Sequence, residues 1–280
     1  ASQAKPNLAA VGAGETGPGG GWKPTAEAKK QASTKRLIAA ALWVLAIGVE
    51  AFAIFYLLRH QMMKGFMVWL IACIVVMGIL AIGGNLLWKQ ANRLDPASQK
   101  DQIRFFVQNQ LGLIITMIAF VPLIILIFTN KDMKGSQKAI AGVIGIVVLG
   151  IAGWTGVDAA PPSTEQMSAD QALVEAYTGS DQVYWVSGGS VYHLCAEYPA
   201  GTTIPPLARG NAETNVIYQG TVAQAVADDK TRLSSGKIAY SECGLTEGQP
   251  QFGTIDSSTG DSSTGTSDPE QSLEPTDSPS

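Results

Sequence analysis

Few residues in this chain have the types and spacing that chemistry requires. His193 and Cys195 stand two apart and Cys243 follows far downstream, so one imidazole and two thiols are the candidate metal ligands of the C-terminal half. Closed zinc sites use four nitrogen or sulfur ligands, and His60 lies in a different part of the chain. Cys195 and Cys243 could instead form a disulfide if they face an oxidising space, or remain buried thiols. The second candidate is Glu50, an acid inside an apolar run, where an ionisable group is a functional hypothesis by default. It could relay protons or pair with a basic group of a partner helix. No other acid or base shares such a run, which disfavours a transporter. Paired histidines for a membrane haem are lacking, and no nucleophile–base set is visible. The run GAGETGPGGG lacks the Gly-Lys-Ser/Thr ending of a phosphate loop and reads as linker. A non-enzyme with no cofactor of its own is therefore expected.

The composition separates two chemically different halves. The 280 residues are 46% hydrophobic and only 15% charged, against about 25% charged in ordinary soluble domains. Residues 1–157 hold 15 of the 19 Lys and Arg and carry a net +9, whereas residues 158–280 carry a net −13. The acidic half argues against nucleic acid, because phosphate binding needs clustered Lys and Arg.

Four runs are long enough for a bilayer, which takes roughly 20 apolar residues in a helix. They cover about 37–58, 65–88, 111–128 and 139–157 and are fenced by Lys and Arg. The expected fold is a transmembrane all-α four-helix bundle with a small α+β extramembrane domain over 160–250 and disordered ends. The disordered parts are expected at 1–33 and at 251–280, the latter acidic with DSSTG twice in tandem. Ala141, Gly142, Gly145, Gly150 and Gly153 give the fourth span a small-residue face for close helix packing, within the bundle or with another helix. Trp43 and Trp69 lie in spans, Trp88 and Trp154 fit the interfacial belt, and Cys73 reads as a small apolar residue.

The opening ASQAKPNLAAVGAG has no basic stretch followed by an apolar one, so no secretory signal is expected there. Its small first residue fits removal of an initiator Met. Nine Lys and Arg flank one side of the spans and five the other, which puts the N-terminus in the cytoplasm of a plasma-membrane protein. Four spans return the C-terminal domain to the same side. That side conflicts with an oxidising space for the cysteines. The lack of Lys or Arg between Lys138 and Arg209 also gives the last span an outside-like exit.

Within the small domain, Ser163–Gln166, Ser168–Gln171 and Thr221–Gln224 have the spacing of capping boxes. The first predicts a helix over 164–177 with Ala172, Leu173 and Ala176 on its apolar face, and the last a helix to about Asp229. Gln182–Val186 and Ser190–Cys195 around a Gly-Gly turn predict a hairpin. Asn215–Gln219 and Lys237–Glu242 predict two more strands. The stretch VYWVSGGSVYHLC, then IYQGTVAQAVADDKTRL and a closing Cys-Gly, resembles a zinc-ribbon-like module at the C-termini of many bacterial membrane proteins. Its usual form has a Cys five residues after the His and a closing Cys-x-x-Cys. Here Tyr198 and Tyr240 stand at those positions, which leaves His193, Cys195 and Cys243 as the ligands the resemblance implies. The overall layout is similar to accessory subunits of the actinobacterial cytochrome bcc–oxidase supercomplex. That resemblance implies membrane-subunit partners, cytochrome bcc and oxidase chains, and a role in assembly, stability or shielding. The alternative from another class is a redox- or metal-sensing module built on Cys195 and Cys243.

Overall fold

The computed structural model describes residues 8, 11–12, 14–16, 21–60, 62–196, 216–234, 240–241, 243–246 and 248–252. Four helices long and apolar enough to cross a membrane dominate it, the make-up of a multi-pass membrane protein. Helix α1 spans Ala26–Phe55, α2 Phe66–Leu94, α3 Gln102–Thr129 and α4 Gly135–Gly156. Three of the four overrun the expected polar-side boundaries because local chemistry, not hydropathy, starts and ends a helix. Thr25 caps α1 by accepting from the Ala28 N–H, and Asp101 caps α3 by accepting from Arg104. Gly65 enters α2 with φ 78°, a left-handed geometry that suits glycine. The 28 residues of α3 run about 42 Å, longer than roughly 30 Å of hydrocarbon. Its polar start therefore stands at or beyond the interface.

The stripes that hold the bundle are narrow and rich in small residues. On α1 the buried positions are Ala28, Ala32, Ala39, Trp43, Ala46, Glu50 and Ala53, three or four apart. Across from them a Cβ on Gly84 would lie 2.5 Å from the Trp43 indole nitrogen, so only glycine admits that ring. On α4, Gly142 meets the Phe128 ring and Gly145 meets Ile124, while Gly156 lies against the α3 backbone at Gly112 and Leu113. The small-residue face of α4 is thus largely spent on α3. Ala141 is fully buried and Gly153 faces Leu113, whereas Gly150 meets nothing.

Beyond the spans come α5 (Thr164–Thr178), β3 (Val183–Val186), β4 (Val191–Tyr192), β5 (Ile217–Gly220), α6 (Val222–Ala227) and β6 (Arg232–Leu233). Ser163 caps α5 by accepting from Gln166, and Gly179 ends it with φ 77°. Thr221 and Gln224 form the full capping box of α6. Ser168 caps nothing: it lies inside α5, where its hydroxyl donates to the Thr164 carbonyl. The buried face of α5 is Met167, Val174, Ala176 and Tyr177, with Ala172 exposed, because the bulkier side chains one turn apart take the core.

The predicted hairpin is reduced to one bridge, in which Tyr184 and His193 exchange backbone hydrogen bonds of 2.9 and 2.7 Å. Strand β3 instead pairs antiparallel with β5, Val183 opposite Gly220 and Trp185 opposite Tyr218, and β4 pairs parallel with β6. The two partners take opposite edges of β3: Tyr184 bonds His193 on one edge while β5 pairs along the other over four positions. Of the predicted strand at 237–242, only Tyr240 and Ser241 are described, and both are helical. Tyr198 and the tail from residue 253 lie outside the described residues.

The N-terminal expectation is corrected over 21–33 and at isolated earlier positions. Strands β1 (Glu15–Thr16) and β2 (Trp22–Lys23) pair antiparallel, and α1 already begins at Ala26. Leu8, Val11 and Trp22 are buried in one core with Met167, Trp185, Tyr192 and Val226 of the small domain. Four hydrogen bonds seat them: Trp22 N–H to Ser168 Oγ, Thr25 Oγ1 to Val11 O, Thr221 Oγ1 to Gly12 O and Gln224 Nε2 to Leu8 O. Three large apolar residues among glycines show no period in sequence, yet they suffice once the domain supplies the other wall.

Candidate functional site

The polar and reactive groups fall into three places, of which the domain and the spans hold the residues flagged for chemistry. In the domain, Cys195 and Cys243 are joined in a disulfide with Cα atoms 5.7 Å apart. Bonded sulfurs are not thiolates, so two of the three implied metal ligands are already used by each other. His193 is brought beside them by the Tyr184 bridge and is buried, and that burial lowers its pKa and keeps the ring neutral at pH 7. Among the described residues no group of three or more His, Cys, Asp or Glu is arranged to hold a metal.

Sequence reading missed other polar groups held inside the domain. Tyr192 donates its hydroxyl proton to Asp170, and burial pushes both groups up from their ordinary values. Asp181 accepts from the Val222 N–H at 2.9 Å while its second oxygen has no partner. Burial, with the Glu175 charge adding to it, raises the Asp181 carboxyl to about 6. Lys230 is buried and its ammonium donates to the carbonyls of Ser187 and Gly189, so it holds the Ser-Gly-Gly turn. The Trp185 indole donates to Asp228 at 2.7 Å.

The second place is the junction between bundle and domain. Arg93, at the end of α2, is 7% exposed and reaches three partners. Its guanidinium meets Asp158 at 3.2 Å, Asp229 at 3.2 Å and the Ala160 carbonyl at 2.9 Å. Arg36 grips Asp95 through both its side chain and its carbonyl and lies 5.8 Å over the Trp88 ring. Glu165 accepts from Ser98 and from the Gln99 N–H; burial works against its ionised form, but these bonds win and hold it below the usual carboxylate range. Arg36 and Arg93, which enter the sequence count as flanking charge, are therefore bound to acids of loop and domain. The change of charge at residue 158 was the visible trace of this junction. A cavity of about 200 Å³ lies beside it, between Val11, Lys35, Gln90 and Asp229.

The third place is the interior of the spans. Glu50 is buried, with the Leu123 backbone amide against its carboxylate and Oε1 without a partner. Trp43 is also buried, and its indole donates to Asn85 Oδ1 at 3.1 Å. Asn85 in turn donates to Thr116 Oγ1 and the Ala152 carbonyl, tying four helices at one point. Trp69 faces outward, as do Trp154 and the other exposed apolar side chains of the spans. Cys73 is a buried free thiol. Asn85, Asn92, Asn109 and Thr116 escaped the sequence reading because a neutral amide or hydroxyl hardly interrupts an apolar run. Asparagine is nevertheless rare enough in spans to have marked the inner faces.

Comparison with protein-family models, with curated proteins and with solved structures returns no match.

Proposed function

We propose that the chain is a non-catalytic accessory subunit of a larger complex in the plasma membrane, aiding its assembly or stability. The observation that carries this reading is the seating of the small domain on the bundle. Arg93 binds Asp158 and Asp229, and Leu8, Val11 and Trp22 enter the domain core. A bundle and domain locked in this way carry an apolar wall on a braced body, which suits a scaffold. Exposed Val44, Phe52, Val143, Val147 and Ile151 suit either lipid or partner helices. The partner class favoured is cytochrome bcc and oxidase chains, on the sequence resemblance alone. The shared core favours one side for the N-terminal segment and the domain; the count of Lys and Arg favours the cytoplasm for it, whereas the Cys195–Cys243 bond favours an oxidising side.

Purification of the native complex through a C-terminal tag in mild detergent tests this. Stoichiometric cytochromes with a haem spectrum are expected. A haem-free single species would remove the respiratory reading. A second reading, a membrane-anchored redox module, is favoured by the Cys195–Cys243 bond. It requires both cysteines to alkylate after mild reduction in native membranes and to reoxidise; a bond that resists reduction in the folded protein counts against it.

A further inference from the structure

Polar groups on the inner faces of α1, α2 and α3 recur at intervals of seven residues. On α3 these are Asn109, Thr116 and the Leu123 amide, on α2 Asn92 and Asn85, and on α1 Trp43 and Glu50. Seven residues of helix advance about 10 Å, so the groups form three tiers descending from the domain side. In the first, Asn92 Nδ2 and Trp88 Nε1 donate to the Gln108 carbonyl at 2.8 and 2.7 Å, and Gln108 Nε2 donates to the Asp95 carbonyl at 2.8 Å. Asn92 Oδ1 and Asn109 Nδ2 remain without partners although their residues are 1% and 7% exposed. An open acceptor and an open donor are what a buried water needs. The second tier is Trp43, Asn85, Thr116 and the Ala152 carbonyl. The third is Glu50, 5% exposed, with Oε1 open.

The two sides of Glu50 differ in polarity. Towards the second tier the buried positions Ala46, Met77, Ala81, Ala119 and Phe120 lead to the polar groups of Trp43, Asn85 and Thr116. Towards the opposite face the inward positions Ala53, Leu57, Phe66, Leu70, Ile74 and Ile127 are all buried and apolar, with no polar tier beyond them. Within the four spans the other titratable groups are Cys73 on α2 and Tyr56 at the end of α1; α3 and α4 present none there. Among the described residues no cation pairs with Glu50.

We propose that Glu50 is a proton-exchange site open to the domain side of the membrane and closed to the other. A proton delivered by water along the tiers forms the Oε1–H bond as the bond to the donor water breaks, and leaves by the same path. This holds whether or not the chain has partner subunits.

Infrared spectroscopy of the full chain in liposomes tests it. A protonated-carboxyl C=O band is expected that Glu50→Gln removes and that shifts within seconds of exchange into D2O. Asn109→Leu deletes an amide with no hydrogen bond to lose, so the fold is retained, as an unchanged melting midpoint verifies. It should slow the shift by about tenfold, equivalent to about 1.4 kcal/mol. Asn92→Leu should act in the same direction, and Ile127→Ala, on the opposite side, should leave the rate unchanged. The proposal is overturned by the absence of a Glu50-dependent acid band, by no exchange in the unmodified protein or by equal rates in Asn109→Leu. Acceleration in Ile127→Ala overturns the one-sided opening.

Discussion

At the scale of single residues, the domain's stability is concentrated in a bond and a few buried polar groups. The Cys195–Cys243 bond closes a loop across a sequence separation of 48, for which chain entropy gives about 4 kcal/mol as an upper value. Cys195→Ala is therefore expected to lower the domain's unfolding free energy by about 2–4 kcal/mol, read from denaturant midpoints with the spans kept in detergent. Asp181 makes a pH prediction. Its folded pKa of about 6 lies above the ordinary 3.8, so the folded state binds the proton more tightly than the unfolded chain. Its contribution is most favourable below both values and declines as pH rises between them. With screening for its partial exposure, the loss is about 1–2 kcal/mol. Asp181→Asn keeps an acceptor for the Val222 N–H and should flatten that part of the pH–stability curve. An unaltered slope between pH 4 and 6 would assign the titration to another group, with Asp170 next because burial raises it as well.

At the scale of elements, helix α2 does two jobs with its polar residues. Asn85 joins the helices in the membrane and Arg93 holds the domain at its end. Removing Arg93 would leave Asp158 buried at 5% side-chain exposure without its cation. Breaking such a pair costs about 3–5 kcal/mol; the Asp229 contact adds little because that carboxylate is 72% exposed. Arg93→Ala should thus raise hydrogen exchange in α6 and β6 while α1 and α3 remain protected. Equal exchange would mean that the apolar core alone seats the domain. The N-cap of α5, the capping box of α6 and the apolar runs were legible because all depend on residues within one or two turns. The β3–β5 pairing was not, because the two strands lie more than thirty residues apart and nothing along the chain links one to the edge of the other.

At the scale of the whole molecule, the N-terminal segment and the C-terminal domain are joined because they share one core. Trp22 is the largest side chain the N-terminal segment buries there, at 5% exposure. Trp22→Ala is expected to cost about 3–5 kcal/mol and to expose the segment to limited proteolysis before the domain itself is cut. Simultaneous cleavage would show that segment and domain unfold as one unit.

The number of spans, their approximate places, the caps at Ser163 and Thr221 and the split of charge near residue 158 follow from the sequence alone. Each depends on neighbours along the chain: an apolar length, a side chain three residues from an amide, or a local count of charge. Glu50 was legible for the same reason, as a charge interrupting an apolar run. The tertiary structure decided that Cys195 and Cys243 are bonded rather than left as thiols or metal ligands, which arginines are bound to acids, and how the asparagines line up above Glu50. It also decided that the glycine-rich start belongs to the domain's core. These contacts join residues such as Leu8 and Gln224, 216 apart, and Arg93 and Asp229, 136 apart. Over such distances no periodicity links the partners. Only the closing of the chain into one packed body, with buried polar groups seeking partners, selects them.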